Sequence, residues 1–110
     1  MRKYGNIYTE FRGKRFASRR EARRYGELFW MEQAGEISGL RTQVAFELIP
    51  TQKDSRGKVV ERAITYKADF VYTDKDGNQV VEDSKGYRTD VYKLKRKLML
   101  YVHGITVKET

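Results

Sequence analysis

Two short segments, Tyr66-Lys67-Ala68-Asp69 and Glu82-Asp83-Ser84-Lys85, flank a turn at Lys75-Asp76-Gly77-Asn78. Folded as a hairpin, they bring two carboxylates, Asp69 and Asp83, and one ammonium, Lys85, to one face of a sheet. Carboxylate oxygens of this kind hold hard divalent cations, and a cation held there activates a water. The chain carries a net charge of +8, so the chemistry points to a phosphodiester backbone as substrate.

The hairpin geometry follows from the turn. A three-residue loop of Lys75, Asp76 and Gly77 suits a type I turn closed by a glycine bulge, with Gly77 at positive φ. In that register Asp74 faces Asn78 and Asp69 lies opposite Asp83. Alternation then puts Lys85 on the face of Asp83 and turns Glu82 and Ser84 away. A two-residue turn at Asp76-Gly77 is the alternative, and it would set Asp69 beside Ser84. The plainer reading of Asp83 and Lys85 is a surface ion pair contributing under about 1 kcal/mol.

Other polar residues have two readings each. Glu21 is either the carboxylate of a capping box with Ser18 or a further metal ligand. Gln43 lines the cleft or is a surface amide, the latter being favoured. Lys93 touches a phosphate or sits on a solvated helix face. His103, the only histidine, lies near a helix end, where an imidazole more often meets terminal carbonyls than does catalysis.

The elements that must position these groups are legible in outline. Residues 1–17 form a basic arm or short hairpin, with Tyr4, Tyr8, Phe11 and Phe16 as anchors, and residues 18–110 form a single domain. Ser18 caps a helix that Gly35 ends. Gln43 to Ile49 reads as a strand stopped by Pro50. Thr51 to Lys58 is polar turn, Val59 to Thr73 one long strand, and Gln79 to Lys85 the next. Thr89 or Asp90 caps a second helix with Val91, Leu94, Leu98 and Tyr101 at helical spacing; Gly104 ends it. Ile105 to Lys108 is a last short strand. The order is helix, three strands, helix, strand.

Composition sets the bounds. The 110 residues suffice for one domain with a modest core. They are 39% hydrophobic and 35% charged, with no apolar run long enough to span a membrane and no apolar leader after Met1. The absence of cysteine excludes disulfides, thiolate metal sites and cysteine nucleophiles, and fits a reducing cytoplasm. Residues 1–24 hold nine Lys and Arg against two Glu, and a second basic cluster, including Lys93 and Arg96, follows the Asp83 motif. Arg15, Arg19, Arg20, Arg23, Lys93 and Arg96 are the candidate backbone contacts; the alternative is a solvated surface.

The element order, Asp69, the Asp83-Ser84-Lys85 element and Glu21 together resemble the PD-(D/E)XK nuclease superfamily. More narrowly, the segments at 18–25, 63–70 and 81–86 resemble a small phage-associated family within it, related to Holliday junction resolvases and transposase nuclease subunits. Ala68 stands where many members have proline. The resemblance implies an α/β fold with a restriction-endonuclease-like αβββαβ core, a mixed central sheet flanked by helices. It implies a metal-dependent DNA endonuclease using Mg²⁺, with Mn²⁺ as a substitute. Asp69, Asp83, the Ser84 carbonyl and Glu21 would be the ligands, with Lys85 assisting the attacking water. Branched DNA in phage recombination, a homodimer and the host cytoplasm complete the expectation. The rivals are a non-catalytic nucleic-acid-binding module and a nuclease subunit that needs a partner; RNA remains open as substrate.

Overall fold

The computed structural model describes residues 9–110. Tyr4 and Tyr8 lie outside the described residues. The described part of the arm is a hairpin of β1 (Thr9–Phe11) and β2 (Lys14–Phe16). It folds onto α1 (Arg19–Gln33). Phe16 is buried there, and Phe11 packs edge-on against Tyr25 and Phe29. Gly26 explains the close approach, because a Cβ at that position would stand 3.3 Å from the Phe11 ring. The Ser18 hydroxyl caps α1 by accepting from the Glu21 amide at 3.1 Å.

The central sheet has four strands in the order β3 (Ser38–Ile49), β6 (Ile64–Thr73), β7 (Gln79–Asp83) and β8 (Lys108–Glu109). The first three are antiparallel and β8 runs parallel to β7, so the sheet is mixed. Helix α1 covers one face and α2 (Asp90–His103) the other. The long strand expected from Val59 is divided. Val59–Glu61 is β5, paired with β4 (Gln52–Lys53) in a separate two-stranded ribbon. Asp54 closes that ribbon by accepting from the Arg56 and Lys58 amides.

The turn after β6 is the three-residue form. The Asp74 amide donates to the Asn78 carbonyl, and Gly77 has φ of +82°. Phe70 pairs with Glu82 and Thr73 with Gln79, the register of the three-residue loop, and the pairing ends there, one step short of Asp69 and Asp83. Strict alternation, however, fails at Asp69. Tyr66 and Ala68 pack with Val71 toward α2, whereas Phe70 and Tyr72 pack toward α1. Residues 68 and 70 would share a face in a regular strand. The neighbouring strand changes face at the same level. Val44 packs toward α2, while Thr42 lines a cavity with Phe16 and Glu21. Gln43 between them has φ of +54°, a left-handed backbone that is strained for any residue with a Cβ.

Helix α2 is capped by Thr89, whose hydroxyl accepts from the Tyr92 amide at 3.0 Å. Its buried residues are Tyr92 and Met99. The apolar face expected from Val91, Leu94 and Tyr101 is turned largely to solvent, and only Leu98 packs on the core. No helix among the described residues is long and apolar enough to cross a membrane.

Candidate functional site

The Asp69 carboxylate sits where β6 changes face, and both its oxygens are held. Oδ2 accepts from the Ser84 amide at 2.9 Å, which ties β6 to the end of β7. Oδ1 accepts from Gln43 Nε2 at 3.3 Å. The same Gln43 nitrogen donates to Glu21 Oε2 at 2.9 Å. Glu21 therefore does not complete a capping box; its carboxylate points across the sheet toward Asp69. Burial, and then the charge of Asp69, pushes the Glu21 carboxyl up, against the opposing pull of Gln43 and Lys85.

Asp83 is buried on the α2 side. Its Oδ2 accepts from the Tyr66 hydroxyl at 2.6 Å. Its Oδ1 is buried with no hydrogen-bond partner, and Lys85 Nζ stands 3.7 Å away. Burial, and then the hydrogen bond to and the charge of the adjacent Asp69 carboxyl, raise the Asp83 carboxyl to about 7 against the opposing pull of Tyr66 and Lys85. The Lys85 ammonium also lies 4.9 Å from the centre of the Tyr92 ring, which limits where it can reach.

These five residues, Glu21, Gln43, Asp69, Asp83 and Lys85, thus form one polar cluster but open on two cavities. Glu21, Gln43 and Asp69 line a cavity of about 510 Å³ together with Lys14, Arg15 and Thr42. Asp83 and Lys85 line another of about 240 Å³ with Tyr66, Lys67, Tyr92 and Lys95. Accordingly, no group of three or more metal-ligating side chains is already assembled among the described residues. The cause is local: the Gln43 amide stands between Glu21 and Asp69, and Asp83, although its carboxyl meets that of Asp69, lines the other cavity. The donor set nevertheless suits a hard cation. Two carboxylates are crowded together, one buried oxygen lacks a donor, and a positive charge is what would relieve both.

Adjacent to Asp83 in sequence, Glu82 is fully buried on the α1 face, and its acid is spoken for. Arg24 donates to both oxygens, Nε at 2.8 Å and Nη2 at 2.7 Å, and the Tyr72 hydroxyl donates to Oε2. Burial alone would raise this carboxyl, but the Arg24 and Tyr72 hydrogen bonds outweigh it and hold the acid below its ordinary value.

Of the expected backbone contacts, Arg15, Arg19, Arg20, Arg23 and Lys93 are exposed. Arg15 borders the Asp69 cavity. Arg96 is instead tied to Glu109 Oε2 at 2.8 Å, so its charge is already neutralised. On α2 it is Lys95, not Lys93, that lines the Asp83 cavity, two residues along and therefore on another side of the helix. Lone His103 meets a backbone carbonyl, that of Glu47, at 2.7 Å.

Sequence reasoning undervalued Gln43, Tyr66 and Lys95. Gln43 carried a weak signal, a polar residue directly across the sheet from the first aspartate; its positive φ had none.

Fold and site define a small mixed α/β domain in which an acidic cluster opens on two cavities that Lys14, Arg15, Lys67 and Lys95 also line. The chain belongs to the family described as protein of unknown function (DUF1064), which matches residues 1–108. No curated protein and no solved structure matches it.

Proposed function

We propose that the chain is a metal-dependent DNA endonuclease centred on Asp69, Asp83 and Lys85. The observation that carries this reading is the buried Asp83 carboxyl with one unpartnered oxygen, beside a second carboxylate and an ammonium at 3.7 Å. A wholly structural acid at such depth is ordinarily neutralised by its neighbours, as Glu82 is.

In this reading Asp69 and Asp83 hold Mg²⁺ or Mn²⁺, with the Ser84 carbonyl and Glu21 completing the shell. The bound cation supplies Lewis acidity and a water of lowered pKa. The protein's own groups do the rest. Tyr66 fixes the Asp83 carboxylate, and the Ser84 amide fixes that of Asp69. Gln43 keeps Glu21 within reach of Asp69. Lys85, restrained by Asp83 and the Tyr92 ring, offers its ammonium to the attacking water or to the charge developing on the phosphate. The exposed arginines of β2 and α1 grip the backbone without reading bases. Branched DNA, a homodimer and the cytoplasm of a phage host belong to the same proposal and rest on the family resemblance alone.

Supercoiled plasmid and a synthetic four-way junction, incubated with Mg²⁺, Mn²⁺ or EDTA, test the reading. Cutting is expected only with metal, and Asp83→Ala should abolish it while still binding DNA. The second reading, a binding module without catalysis, draws on the absence of a preassembled ligand trio among the described residues. Metal-independent DNA binding with no cutting under any condition would establish it.

A further inference from the structure

Across β7 from Asp83, on the α1 side, lies a third cavity of about 180 Å³. It is lined by Arg20, Arg23, Arg24, Glu27, Ser84 and Thr110, and it shares no residue with the Asp83 cavity. Its arginines are not equivalent. Arg24 is fully engaged, with Glu82 through Nε and Nη2 and with Glu27 through Nη1. That pairing also neutralises Glu27. Arg20 and Arg23 have no carboxylate partner among the described residues. Arg20 reaches over the end of the β7 motif, where its Nε would lie 3.9 Å from a Cβ placed on Gly86. At the wall is Ser84, whose Oγ is buried without a hydrogen-bond partner. A buried hydroxyl without a partner is uncommon, and a ligand oxygen is one way to supply it.

We infer that this cavity is a phosphate subsite. Two uncommitted guanidiniums offer forked donors that match phosphate oxygens, and the Ser84 hydroxyl adds a neutral donor or acceptor in the same cavity. The ligand class, a phosphate of a polynucleotide strand, rests on the nuclease reading above. Ser84 stands between Asp83 and Lys85 in the chain with its side chain on the opposite face of β7. A strand anchored here by one phosphate therefore has a neighbouring stretch of backbone beside the acidic cluster. A phosphate at a strand end and one within the continuous backbone would satisfy the same donors.

The test begins with the whole chain, free of metal, titrated with inorganic phosphate and followed by NMR. Saturable shifts are expected at the Arg20 and Arg23 Nε–H groups and at the Ser84 amide. The Ser84 shift should vanish in the double variant Arg20→Gln, Arg23→Gln, which lacks the two guanidinium signals themselves, and all three should persist in Asp83→Asn. Both arginines are exposed, so the double variant keeps its fold, as circular dichroism would verify. Duplex binding should weaken about tenfold or more in the double variant, and the slope of log affinity against log salt should shrink by about 2. Duplexes with 5′-phosphate, 3′-phosphate or hydroxyl ends, and a closed circle, separate the two sources. Preference for one phosphorylated end marks a terminal subsite; equal binding of all forms marks an internal one. Absence of saturable shifts, or unchanged phosphate and duplex binding by the double variant, overturns the proposal. Phosphate shifts that persist in a protein that never cuts DNA would instead refute the nuclease and leave the subsite standing.

Discussion

Glu82 and Asp83 are consecutive, both acidic and both fully buried, yet they meet opposite fates. Glu82 faces α1, where a forked guanidinium and a phenol occupy its oxygens. Asp83 faces α2, where one phenol and a more distant ammonium leave an oxygen unpartnered. The first is held below its ordinary carboxyl range and the second is pushed to about 7. Burial acts on both in the same direction, so the difference lies in the partners. A strand that alternates faces can thus carry a structural acid and a chemically available one side by side.

The sharpest way to break this comparison is to remove each acid in turn. Glu82→Ala should cost about 3–5 kcal/mol in urea denaturation, because it leaves Arg24 without its buried partner. Asp83→Asn should leave metal-free stability unchanged or raised, and should abolish metal-dependent cleavage. If both substitutions destabilise equally, the two acids are alike and Asp83 is structural.

The pH dependence should separate them next. A carboxyl raised in the folded state keeps its proton there while the unfolded chain loses it. Asp83 therefore favours the metal-free fold below its ordinary pKa, and that advantage is lost as pH rises from about 4 through about 7. Glu82, lowered in the folded state, contributes above its ordinary value and loses that contribution as pH falls. Urea midpoints measured from pH 4 to 8 should decline between pH 4 and about 7 in the wild type, and less steeply in Asp83→Asn, where Glu21 alone still contributes. Identical slopes in the two proteins would remove Asp83 as the cause.

Gln43 offers a smaller probe. Its left-handed backbone is strained, so Gln43→Gly should be more stable than Gln43→Ala by about 1 kcal/mol, while both lose the bridge from Glu21 to Asp69. Reduced cleavage in both, whatever their stability, would assign the side chain a positioning role. Full activity in Gln43→Gly would deny it one. The smallest effect is expected at Tyr72→Phe, about 1 kcal/mol, because Arg24 still holds both Glu82 oxygens. Tyr66→Phe should instead disturb cleavage, since the Tyr66 hydroxyl is the donor that holds Asp83 Oδ2.

Much of the arrangement was legible before folding. Gly77 and the Lys75-Asp76-Gly77 loop specify the hairpin register, because only one residue there tolerates positive φ without cost. Ser18 and Thr89 mark the helix starts through hydroxyls that accept from local amides. Glu82 was set apart from Asp83 by alternation alone. The α2 face was misread because Val91, Leu94 and Tyr101 carry a helical period without being the side that meets the sheet. A period gives a stripe but not its partner.

What the sequence determined by itself was local: turns, caps, the order of the two helices and the main-sheet strands, and the register of the hairpin that carries the two aspartates. These depend on residues close in the chain or on one short hairpin. Tertiary structure alone decided the rest. It placed Gln43 between Glu21 and Asp69, put Arg24 on Glu82, drew Arg96 to Glu109 and divided the acidic cluster between two cavities. Each of those joins residues from separate elements. The change of face at Gln43 and Asp69 that sets them is a coupled distortion of two paired strands, which neither strand's own pattern of alternation records.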